Sequence, residues 1–188
     1  MSDEVEAGEP RARGLEDKAG EELLRHCLSN YPAGIAWLAD NGANPNAVDA
    51  RGRTMLHLAA MEGRAAAIDA LLRHGAKVDA VDREGWTPLH HAAERGDTGV
   101  VTLLLEHGAP VDAADWKGRT ALHVASLKGE AESVAQLIKA GAQVAIADRG
   151  ERTAEDIARG LGHHAVAEIL HRAAGNSEHA VAPAGRER

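Results

Sequence analysis

Eleven histidines and one cysteine give this 188-residue chain its main capacity for metal binding or catalysis. His57, His90 and His123 recur at intervals of 33 residues, each three positions after a threonine: Thr54, Thr87 and Thr120. Catalysis needs one site, whereas these histidines come as equivalent copies. They therefore read as structural, with each ring in reach of the Thr hydroxyl or the adjacent turn. His74 and His107 each precede a glycine, as suits a residue facing the negative end of a helix. His164, Glu168 and His171 stand outside this rhythm. Their i, i+4, i+7 spacing puts them on one helical face, where together they could ligate Zn²⁺. Beyond His163 no fourth ligand is evident, and the competing reading is a solvated face on a terminal helix. Cys27 lies 33 residues before Ala60 and 66 before Ala93, so it reads as a small buried thiol. Gly160-Leu161-Gly162 lacks the third glycine and the preceding strand of a phosphate-binding loop. No catalytic residue and no cofactor are expected, and the chain does not read as an enzyme.

The elements that position these residues come from internal repetition. Asp49, Asp82, Asp115 and Asp148 open segments that align at a 33-residue period, and a fainter copy precedes them from Glu16. Within a unit, Gly52, Gly85 or Gly118 sits in a polar stretch where a turn can use positive φ. Thr54, Thr87 or Thr120 then provides an N-cap, and Pro88 occupies the first helical position, where a missing N–H costs nothing. A short helix follows, with Leu56, Ala59 and Ala60 as its apolar face in the first full copy, and Gly63, Gly96 or Gly129 ends it. A second helix carries larger side chains, Ile68, Leu71 and Leu72. Small residues on one helix and large ones on the other give a tapered pair, and stacked tapered pairs curve. Five units are expected, at about 16–48, 49–81, 82–114, 115–147 and 148–175.

The period and the segment Thr87-Pro88-Leu89-His90-His91-Ala92-Ala93 resemble the ankyrin repeat. So does the unit ending Gly75-Ala76-Lys77-Val78-Asp79-Ala80. The resemblance spans about 160 residues and implies an all-α solenoid of helix-turn-helix units joined by hairpin-like turns. The first unit replaces the Thr-Pro-Leu-His segment with Glu21-Glu22-Leu23-Leu24. The last places Glu155-Asp156 and His171 where inner units carry apolar residues or histidine. Both read as polar caps on the stack. Residues 1–15, acidic, and 176–188 lack apolar periodicity and are expected to be disordered tails.

Composition excludes several functions. Apolar residues make up 44% and charged residues 27%, but there is no Phe and a single Tyr. The net charge of −8 disfavours nucleic acid and anionic membranes as partners. One cysteine fits a reducing compartment, no apolar run reaches membrane length, and the N-terminus lacks a secretory apolar region. A cytoplasmic monomer is expected, with the nucleus equally compatible.

The positions that the repeat does not need for folding are the turn tips and the exposed ends of the first helices. In ankyrin proteins, by resemblance, these line the concave face and contact a partner protein. Sixteen such residues occur here; nine are positive and three negative, on a repeat region that is acidic overall. The expected partner-binding set is Arg51, Arg53, Met61, Arg83, Trp86, Arg95, Trp116, Lys117, Arg119, Leu127 and Lys128. Trp86 and Trp116 are the expected anchors, close together on the face, and the cations would steer an acidic, partly apolar segment of another protein. Nucleic-acid binding by the basic stripe is the alternative, together with metal-dependent activity at His164, Glu168 and His171. The acidic N-terminal tail could itself fold back over the basic face.

Overall fold

The computed structural model describes residues 18–179, which form ten helices. They are α1 (Lys18–Leu28), α2 (Pro32–Asp40), α3 (Met55–Met61), α4 (Ala65–Arg73) and α5 (Pro88–Arg95). They continue as α6 (Thr98–Glu106), α7 (Ala121–Lys128), α8 (Ala131–Lys139), α9 (Ala154–Gly160) and α10 (His164–His179). Among the described residues there is no strand, only two isolated antiparallel bridges, Val48 with Thr54 and Ala147 with Thr153. Odd-numbered helices pack in one row and even-numbered helices in a second, each touching its neighbour one repeat away. The expected tail 1–15 lies outside the described residues. Helix α10 runs past the boundary expected at 175, to His179, and residues 180–188 lie outside the described residues.

The core follows from the repeat's apolar pattern. Leu56, Ala59 and Ala60 on α3, and Ile68 and Leu71 on α4, are fully buried, as are their equivalents Leu89, Ala92, Ala93, Val101 and Leu104. Alanines on the inner row let its helices approach closely, and leucine, isoleucine and valine on the outer row fill the wider gap. Each large buried side chain contributes about 1.5–3 kcal/mol. A single unit owns only a few of them, too few to order 33 residues, so its stability depends on its neighbours. Cys27 occupies the alanine position of α1 and is fully buried. Desolvation pushes its thiol up to about 12, which leaves it protonated and unreactive.

Each turn is built on its opening aspartate. Asp115 Oδ1 accepts the backbone N–H groups of Lys117 and Arg119, both at 2.8 Å. Asp49, Asp82 and Asp148 accept the corresponding pairs in their own turns. Adjacent turns then join edge to edge: the N–H of Arg83 donates to Arg51 O, that of Trp116 to Glu84 O, and that of Arg149 to Lys117 O. Gly85 is required by more than its φ of +80°. A Cβ there would lie 2.8 Å from the Trp116 ring, so the glycine lets one turn bed against the next.

The periodic histidines hold repeat to repeat. Thr87 N–H donates to His90 Nδ1 at 3.1 Å, which fixes the tautomer with the proton on Nε2. That Nε2–H donates 2.9 Å to Arg119 O, 29 residues ahead. His57 and His123 make the same reach to Trp86 O and Arg152 O. The same carbonyls also accept the N–H of Asp82, Asp115 and Asp148, closing their turns. The histidines thus cap their own helices and clamp the following turn, and burial holds their pKa values below the usual range. In the last unit Asp156 replaces histidine: Thr153 N–H and Oγ1 donate to its carboxylate, so the cap survives without the imidazole.

Candidate functional site

The turns and the ends of α3, α5 and α7 carry the eleven residues expected to meet a partner, and the structure sorts them by whether their polar groups are already engaged. Arg53 binds Asp49 at 2.7 Å and reaches Met61 Sδ. Arg119 grips Asp115 through two nitrogens. Arg95 donates to Met61 O at 3.3 Å, and Lys128 pairs with Glu94 at 3.1 Å. Met61 is half-buried. Arg51, Arg83, Trp116, Lys117 and Leu127 are exposed, and the three cations have no ion pair among the described residues. Trp116 is 57% exposed, although its indole N–H donates to Arg83 O at 2.9 Å.

Trp86 departs from the expectation of an exposed anchor paired with Trp116. It occupies the repeat position of Arg53, Arg119 and Arg152, whereas Trp116 occupies that of Arg83 and Arg149, and their rings are not in ring-to-ring contact. Trp86 is half-buried, with its indole N–H donated to Asp115 Oδ2 at 3.1 Å and the Arg119 guanidinium 5.6 Å above the ring. The exchange of arginine for tryptophan has a consequence within its own unit. Asp49, Asp115 and Asp148 each pair with the arginine four residues on, and Asp82 has none. It pairs instead with His91 Nε2 at 3.3 Å.

His91 stands where the other units have Leu58, Val124 and Ile157, which was the sequence signal for this site. Its ring packs 4.9 Å from Trp86 and edge-on to His57, and burial, followed by His57, lowers its pKa to about 4. Its Nδ1 is buried with no hydrogen-bond partner. Beside it a cavity of about 490 Å³ opens between the turns that begin at Asp49 and Asp82, and its lining includes Arg51, Met61, Arg83, Glu84, Trp86 and His91. Sequence reasoning found four of these six but not His91 or Glu84 as parts of one site.

The metal alternative does not assemble. Glu168 binds Arg172, and His171 Nδ1 lies 3.2 Å from Glu155. His164 shares neither contact, and among the described residues no group of three or more His, Cys, Asp or Glu side chains could hold a metal ion. The i, i+4 position of Arg172 supplies Glu168 with a nearer partner than either histidine. His163 instead bonds Leu127 O at 3.2 Å, acting as another contact between units. Four exposed apolar residues of the first unit, Leu28, Tyr31, Trp37 and Val48, were not singled out from sequence.

Among the described residues no helix is long and apolar enough to cross a membrane. A family profile described as "Ankyrin repeats (3 copies)" matches residues 23–115, and one described as "Ankyrin repeats (many copies)" matches 93–138. No curated protein matches the chain. The two profiles overlap and together run from 23 to 138, through the capped threonines, clamping histidines and aspartate-anchored turns described above. The chain belongs to the ankyrin-repeat family, whose members generally serve as protein–protein interaction modules.

Proposed function

We propose that this protein is a non-catalytic interaction module that binds another protein through the face formed by its turns and inner helices. The partner segment it fits is acidic and partly apolar. The observation that carries this reading is the set of exposed residues left over once the internal bonds are drawn: Arg51, Arg83 and Lys117 without ion pairs, beside the exposed apolar surfaces of Trp116 and Leu127. A rigid, prestacked surface loses little freedom on binding, which suits such a face to recognition. Arg53, Trp86 and Arg119 are half-buried and brace the turns, whereas Arg95 and Lys128 are exposed with their polar groups engaged by Met61 O and Glu94. An adaptor, a scaffold or a stoichiometric regulator, acting as a monomer in the cytoplasm, would use the surface in the same way.

The test is affinity capture from the source cell with wild type and a Trp116→Ala/Lys117→Glu variant. Trp86 is unsuitable for this comparison, since removing it takes one donor from Asp115 and empties a packed position. The variant should keep the wild-type circular dichroism spectrum and melting temperature and lose the specific partners. Retention of every partner by a folded variant would move the site elsewhere.

A further inference from the structure

We propose that residues 180–184, which follow α10, turn back and dock in an apolar groove between α8 and α10. The groove has a volume of about 780 Å³, and its lining includes Ala135, Ile138, Ala142, Val144, Ile169 and Ala173. Its charged lining is confined to Lys139 and Arg172, and Arg172 is held by Glu168. It shares no residue with the turn face, so the proposal stands apart from the partner reading. Two features leave the groove open. Between α4 and α6, Asp69 lies 3.7 Å from His107 and bridges the two helices. In the α8–α10 pair, Ala135 and Ala173 hold those repeat positions, and neither side chain can form such a pair. The loops add the second feature. Asn46 accepts the N–H of Lys77 one loop on, and Asp112 accepts that of Gln143. Ala145 takes the place of that acceptor in the next loop, and α10 continues as helix to His179 where a further loop would have packed. The occupant is set by position, length and composition. Pro183 does not allow the helix to run on through it, so the chain leaves α10 here. From Ala173 to His179 the helix advances about 9 Å, and five extended residues cover about 17 Å, enough to return to the groove. Residues 180–184 read Ala-Val-Ala-Pro-Ala, uncharged throughout, with small side chains that suit a groove walled by alanine. Pro183 also brings no backbone N–H to bury. Residues 1–17 have no two adjacent apolar side chains, and they lead into α1 at the opposite end of the stack.

The test is amide relaxation of the ¹⁵N-labelled full chain, together with the δ1-methyl shifts of its isoleucines. Docking suppresses fast motion, so the heteronuclear NOE values of Val181, Ala182 and Ala184 should match those of α10. Val181→Asp should drop them to coil values and shift the methyls of Ile138 and Ile169, with Ile35 and Ile68 unmoved. Ile169 would lie about 18 Å from Val181 if the helix simply continued, so docking is what carries the change to it. Ala135→Asp/Ala173→His copies Asp69 and His107 onto the groove. It should close the groove and release the segment in the same way, and unchanged amide shifts in α3 to α7 verify the fold of both variants. Coil values for residues 181–184 in the wild type would overturn the proposal. So would methyl shifts of Ile138 and Ile169 that ignore Val181→Asp but change on dilution, because a second copy would then fill the groove.

Discussion

At the scale of single residues, the carboxylates and imidazoles of this protein serve as turn and helix anchors. Asp115 is 4% exposed and accepts two backbone N–H groups, the Arg119 guanidinium and the Trp86 indole. Asp115→Ala strands several of these donors at once and should cost about 3 kcal/mol or more in urea unfolding. The histidines make a different prediction. Burial lowers the pKa of His57, His90, His91 and His123 in the folded chain, so below about 6.5 the unfolded chain binds more protons. Stability should therefore be full above pH 7 and fall as pH drops from 6.5 toward 4, before the carboxylates titrate. His91→Leu, which copies Leu58, should flatten that slope, and urea midpoints at a series of pH values would measure it. An unchanged slope would remove His91 from the acid response. The histidine period was plain in the sequence, and so was the bond to threonine. The forward reach to the next unit was not, because it joins residues 29 apart whose approach depends on the stacking itself. Likewise, Asp82 read as a register mark, and only its missing arginine and its contact with His91 gave it a role.

At the scale of elements, threonine caps and turn glycines are the local signals that set where each helix begins and how the turns stack. Thr87→Ala removes a cap and should cost about 1 kcal/mol. Gly85→Ala should cost roughly 1–2 kcal/mol through its positive φ alone, and more through the Trp116 ring that its Cβ would meet. The two are separable by fluorescence in a Trp37→Phe background: Gly85→Ala should displace Trp116 and shift its emission, and Thr87→Ala should not. Helix positions were legible because Thr, Pro and Gly act through local backbone geometry. The proposed i, i+4, i+7 metal face on α10 failed for a reason that spacing cannot show. His171 meets Glu155 on α9, and Glu168 is drawn to Arg172. Trp86 and Trp116 shared a residue type but not a repeat position, and position decided that one packs inward while the other faces out.

At the scale of the molecule, ten helices in two rows, among the described residues, carry turns whose unpaired cations Arg51, Arg83 and Lys117 outnumber the unpaired carboxylates Glu62 and Glu84, on a chain of net charge −8. The architecture was legible because each unit repeats the same solution, so four copies corroborate one another. The proposed binding face was legible only in outline, since side chains with the same charge divide into those whose polar groups are engaged within the stack and those left without ion pairs. The most direct test of the account is selection of peptides from a displayed random library on the wild-type protein, followed by binding of the selected peptides to an Arg83→Glu/Trp116→Ala/Lys117→Glu variant of unchanged melting temperature. The account predicts peptides that combine Asp or Glu with Leu, Ile, Val or Phe, bind more weakly as salt rises, and are lost by the variant. Peptides without acidic residues, or binding that the variant retains in full, would contradict it.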